Sequence, residues 1–116
     1  MMTTDEFKNK FGRALATFAE ESHCSQEFYS EDRELESIVL QWTTPTQLSA
    51  SIVLTCSDDG FAVNSMLERQ VIRIGRISSW TTSCSKLLAR FRDIRGHLDS
   101  FTHSPLWTPR DPRVPR

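Results

Sequence analysis

The chain has few of the residues that usually carry chemistry. Among its 116 residues are three cysteines, three histidines and four glycines. Cys24, Cys56 and Cys84 are odd in number and show no CxxC spacing, which argues against a disulfide framework and against a zinc site. Cys56 and Cys84 fall on apolar faces and read as small hydrophobes. His97 and His103 stand six residues apart and do not share a helical face, so with His23 far away no third metal ligand is at hand. Cys24 lies next to His23, but neighbours in sequence rarely face each other as nucleophile and base. Gly12, Gly60, Gly75 and Gly96 make no GxxxxGK or GxGxxG, and GxSxG and HExxH are also missing. These absences lead us to expect no enzyme, no metal and no cofactor.

Long hydrophobic runs are lacking too. No stretch approaches the roughly eighteen apolar residues of a membrane span. The start, Met1-Met2-Thr3-Thr4-Asp5-Glu6, has neither a basic cluster nor an apolar signal segment. A cytoplasmic protein without membrane contact is expected. No internal repeat and no linker divides the chain. We expect one α+β domain over residues 1–104 and a flexible, Pro/Arg-rich tail over 105–116.

What the chain does have is alternation. Strand side chains alternate faces, so apolar parity marks the buried side. Ile38, Leu40 and Trp42 share one parity in 36–42, and Leu48, Ala50, Ile52, Leu54 and Cys56 share one in 47–56. Phe61 and Val63 follow in 61–65, and Ile72 and Ile74 in 70–77. This predicts a four-stranded antiparallel meander. Trp42 is expected opposite Leu48. Cys56 is expected opposite Phe61 across Ser57-Asp58-Asp59-Gly60, a strong hairpin signal. Residues 66–71 would form the last connection. The other face would carry Ser37, Val39, Gln41, Ser49, Ser51, Val53, Thr55, Ala62, Asn64, Val71 and Arg73, small and largely polar.

Helical spacing flanks the meander. Thr3-Thr4-Asp5-Glu6 fits a capping box, and Phe7, Phe11, Ala14, Leu15 and Phe18 recur at helix period over 4–21. Gly12 is a weak point that would suit close approach of another backbone. A second seam, Trp80, Cys84, Leu87, Leu88, Phe91, Ile94, Leu98 and Phe101, predicts a helix of about six turns capped by Ser78 or Ser79. Gly96 would bend it near its end. With both stripes aimed at one parity, the expected fold is a two-layer sandwich, with both helices on one face of the sheet.

Charge is unevenly placed. Residues 1–68 hold 12 acidic and 4 basic side chains, and residues 69–116 hold 3 acidic and 10 basic, although the net charge is only −1. Residues 22–35 have no clear period. The segment Glu27, Phe28, Tyr29, Glu31, Asp32, Glu34 and Glu36 reads as an acidic connection with an aromatic anchor, a composition suited to a protein interface. The leading expectation is therefore a protein-binding module of the immunity or antitoxin kind, neutralising a basic toxin domain by charge complementarity. A secretion chaperone that holds an effector segment ranks second. A nucleic-acid binder using the basic half ranks third, because no helix-turn-helix or RNP-like pattern accompanies the arginines. Sequence leaves the oligomeric state open.

Overall fold

The computed structural model describes residues 2–105. It has the expected two layers. Helix α1 spans Thr4–Ser22. Six strands follow: β1 Ser25–Glu31, β2 Glu34–Thr43, β3 Ser49–Cys56, β4 Gly60–Leu67, β5 Gln70–Arg73 and β6 Ile77–Ser79. Helix α2, Cys84–Asp99, completes the described chain.

Local chemistry sets the ends of α1. The Thr3 hydroxyl accepts the Glu6 amide hydrogen at 3.1 Å, satisfying one of the orphan donors of the first turn. His23 takes the left-handed conformation that ends the helix. Phe7, Phe11, Ala14, Leu15 and Phe18 are all buried, as their spacing predicts.

The sheet is antiparallel and runs in sequence order from β1 to β5, with β6 also beside β4. Cys56 lies opposite Phe61, as expected, and Leu54 lies opposite Val63. Ile38, Leu40, Trp42, Ala50, Ile52, Leu54, Phe61, Val63 and Leu67 turn to one side and are buried. On that side α1 lies over β1 and β2, α2 lies over β3 and β4, and the helices pack against each other. Phe18 joins the layers, its ring centre 5.7 Å from Trp42 and 5.3 Å from Phe91. Each such aromatic, fully buried, contributes about 1.5–3 kcal/mol gross. Arg92 makes a bidentate ion pair with Glu21, and Arg95 donates to the Ser22 hydroxyl at 3.0 Å, so charge also links α2 to α1.

Several details differ from expectation, each for a physical reason. Residues 25–31 are a strand, not a connection. Asp32 and Arg33 both have positive φ, 50° and 68°, which supplies the two-residue turn that folds β1 onto β2. Trp42 pairs with Ala50 rather than Leu48; the parity is unchanged because the shift is two residues. β4 runs on to Leu67, and a second tight turn at Glu68-Arg69, φ 50° and 67°, replaces the longer connection.

The last expected strand is broken in two. Ser65 pairs with Arg73 but Met66 pairs with Val71, so Ile72 is an extra residue. A bulge puts neighbouring side chains on the same side. Ile72 therefore packs on the core while Arg73 turns to the helix layer, and Ile74 is left 77% exposed. Gly75 follows, held against β4: a Cβ there would lie 2.2 Å from the Val63 carbonyl oxygen.

Helix α2 is shorter than its seam. Ser83 is its N-cap, accepting the Lys86 amide hydrogen at 3.2 Å. Trp80 sits ahead of it, with its ring centre 5.3 Å from that of Phe61 and its indole donating to the Ser57 and Asp58 carbonyls. Gly96 lies inside the unbroken helix, and Phe101 lies beyond its end. Leu106 to Arg116, the bulk of the expected tail, lies outside the described residues.

Candidate functional site

The β1–β2 hairpin collects the acidic segment. Glu27, Glu31, Asp32, Glu34 and Glu36 are all exposed, and Arg33 is the one basic residue of the hairpin. Among the described residues none of the five carboxylates has a cation within ion-pair distance. Their arrangement is repulsive. Glu31 stands directly opposite Glu34, a pairing of like charges that weakens a hairpin.

An irregularity sharpens this. Tyr29 pairs with Ser37 while Ser30 pairs with Leu35, so Glu36 is an extra residue on β2. The bulge brings the Glu36 carboxyl to that of Glu31. The hydrogen bond between them, and then their mutual repulsion, hold Glu36 above the usual carboxylate range. Because the extra residue is on β2, the seven residues of β1 run without a bulge along the edge of the sheet.

The two aromatics part company. Tyr29 lies on the face away from the helices, half exposed, and its hydroxyl donates to the Glu27 carboxylate. That bond, with the nearby negative charge, raises the Tyr29 phenol above its ordinary value. Phe28 points to the helix layer and packs against the core, with the Lys8 ammonium 4.6 Å from its ring centre. The hairpin thus brings Glu27, Tyr29 and Glu31 onto one face of β1. Phe28 turns to the other side, Asp32 forms the tip, and Glu34 and Glu36 lie on β2.

That outer face of the sheet is uncovered by any described element. Ser37, Val39, Gln41, Ser49, Ser51, Val53, Thr55, Ala62 and Asn64 lie on it, as parity predicts. Val71 lies there too, as expected, and Met66 and Ile77 join them, with Val71 57% and Ile77 64% exposed. Where Gln41, Ser49, Ser51 and Met66 meet the Glu68-Arg69 turn, they line an open depression of about 440 Å³.

Two of the three cysteines have little reactivity to offer. Burial pushes the Cys56 thiol up to about 11 and also raises Cys24, so both stay protonated near neutral pH and are poor nucleophiles. Among the described residues no three His, Cys, Asp or Glu side chains are grouped to hold a metal ion. No described helix is long and apolar enough to cross a membrane. In the basic half, Arg90, Arg92 and Arg95 bond to Ser78, Glu21 and Ser22 respectively. Lys86, Arg69 and Arg76 are exposed.

Sequence reading missed β1 as a strand. Its helix-facing side offers a single apolar residue, Phe28, and one tooth does not make a period. The available signal was Asp32-Arg33, a polar pair between two runs able to face each other.

No family model matches the chain, and no curated protein and no solved structure matches it.

Proposed function

We propose that this chain is a non-enzymatic, cytoplasmic protein-binding module that neutralises a basic toxin domain through its β1–β2 hairpin. One observation carries the reading. Five exposed carboxylates share one hairpin, with no counter-ion at ion-pair distance among the described residues, and two of them, Glu31 and Glu34, stand directly opposite each other. In the free protein that repulsion is a cost. A partner bearing lysines and arginines relieves it, gains fast electrostatic steering, and is discriminated from neutral or acidic surfaces.

A secretion chaperone is the second reading. The uncovered sheet face, with Val71 and Ile77 exposed, favours it as a platform for an effector segment. The nucleic-acid reading ranks third. All three arginines of α2 make bonds within the molecule, which leaves fewer for phosphates.

The test is a growth assay with the product of the adjacent reading frame. We expect that product to arrest growth and this chain to restore it. Glu31→Lys/Glu34→Lys should remain folded by circular dichroism. Its association with the partner should slow about tenfold or more at low salt and lose most of its salt dependence. Full rescue and unchanged association by the charge-reversed chain would sink this reading.

A further inference from the structure

The two edges of the sheet are not equivalent. The β5–β6 edge is interrupted. It holds four residues, then a gap at 74–76, then three residues, with a bulge at Ile72. Inside the gap the Gly75 amide donates to the Asn64 side-chain oxygen at 3.0 Å. Bulges and breaks of this kind prevent a further strand from adding. The β1 edge is a regular run of seven residues whose outward amides and carbonyls meet no other described strand. A row of unpaired backbone donors and acceptors on a sheet edge is itself a binding surface, and what it fits is another extended strand.

Charge decides which strand. On β1, Ser25, Glu27, Tyr29 and Glu31 share the outer face. Glu27 and Glu31 are four residues apart, about 13 Å, with Tyr29 midway. Antiparallel pairing of β1 with a second copy would gather both copies' Glu27 and Glu31 on one face, beside two acidic turns. Like charges at that density oppose self-pairing. They admit a strand that places cations beside them.

We propose that the partner binds by adding an extended basic strand to the β1 edge, with Lys or Arg at two positions four residues apart and an apolar residue midway, against Tyr29. The inference rests on the acidic-hairpin reading and specifies its chemistry. Backbone ladder bonds supply the geometry. Glu27 and Glu31 supply the choice of partner, and Phe28, on the opposite side, keeps β1 anchored to the helix layer.

The probe is a synthetic threonine-rich peptide with two lysines four residues apart and a valine midway. Its control carries prolines in place of the threonines that flank the valine, with the same charge. Binding to the full chain is measured by titration at low salt, and amide exchange is followed across β1. We expect the outward amides of β1 to slow at least tenfold at saturation, and the proline peptide to bind at least about tenfold more weakly, because each proline removes a ladder donor. A chain carrying Glu27→Lys and Glu31→Lys should prefer the same peptide with glutamates for lysines. Equal binding of the two lysine peptides, with no added protection in β1, overturns strand addition while leaving charge-driven docking of the hairpin standing. Failure of the threonine-rich lysine peptide to bind also overturns it, and the growth assay then judges the hairpin reading separately.

Discussion

At the scale of single residues, the glycines separate what sequence reveals from what only packing reveals. Gly12 lies inside α1, and the space where its Cβ would stand is empty to 4 Å, so the expected close approach of another backbone is not made. Gly12→Ala should raise stability by up to about 1 kcal/mol, the difference in helix propensity. Gly60 closes the β3–β4 hairpin against β6, and a Cβ there would lie 1.8 Å from the Ser78 carbonyl oxygen. Gly60→Ala should destabilise by more than 2 kcal/mol, because the obstacle is backbone that cannot rotate away. Urea unfolding of the two variants beside the parent chain checks both signs. The Asp-Gly turn was legible in the sequence. The contact with Ser78 was not, because it depends on β6 returning to β4.

At the scale of elements, legibility followed how many teeth each pattern had. α1 shows five buried residues at helix period, and its cap was read correctly down to Thr3. β2, β3 and β4 each show at least three buried residues at alternate positions, so their common face was fixed by parity. α2 was overextended because Trp80 continues the spacing of Cys84, Leu87 and Phe91. The Trp80 ring is held instead by Phe61 and Phe7 and by carbonyls of the β3–β4 turn, so the sheet claims it. β1 was missed for the opposite reason, a pattern with one tooth.

The β1–β2 hairpin carries its own pH dependence. Glu36 sits above the usual carboxylate range because Glu31 bonds and repels it. The folded hairpin therefore holds a proton more tightly than the unfolded chain. Its contribution is present below the ordinary carboxylate range and is lost as pH rises through the raised value. Glu21, lowered chiefly by its hydrogen bond from Arg92, runs the other way: its contribution is present above the ordinary range and lost as pH falls. An NMR titration should show Glu36 ionising at higher pH than an ordinary glutamate and returning to the ordinary range in Glu31→Gln. An ordinary Glu36 in the parent chain would contradict the contact.

At the scale of the whole molecule, the acidic and basic halves of the sequence do not form two separate bodies. They share a core. Phe91 from the basic half is fully buried between Phe18 and the sheet. Phe91→Ala should cost about 3–5 kcal/mol, a large part of the total for a domain of this size, and should melt α1, the sheet and α2 in one transition. Coincident loss of far-ultraviolet circular dichroism and tryptophan fluorescence would confirm that cooperativity; two separated transitions would contradict it. The polarity across the sheet also follows from topology. Because β1 to β5 lie in sequence order, a charge split along the chain becomes a split between edges, acidic at β1 and basic at the Arg69, Arg73 and Arg76 side.

The position of α2 has a consequence for the newly made chain. Each strand from β2 to β5 pairs with the strand made just before it, and β6 returns to β4, which is already in place. The roof over β3 and β4 comes last, from 84–99. Until those residues leave the ribosome, Ile52, Leu54 and Val63 have half a cover and face water. The growing polypeptide must therefore wait, sheet ready and oily side open, for α2. That interval is the one in which a chaperone, or a neighbouring nascent chain, competes for it.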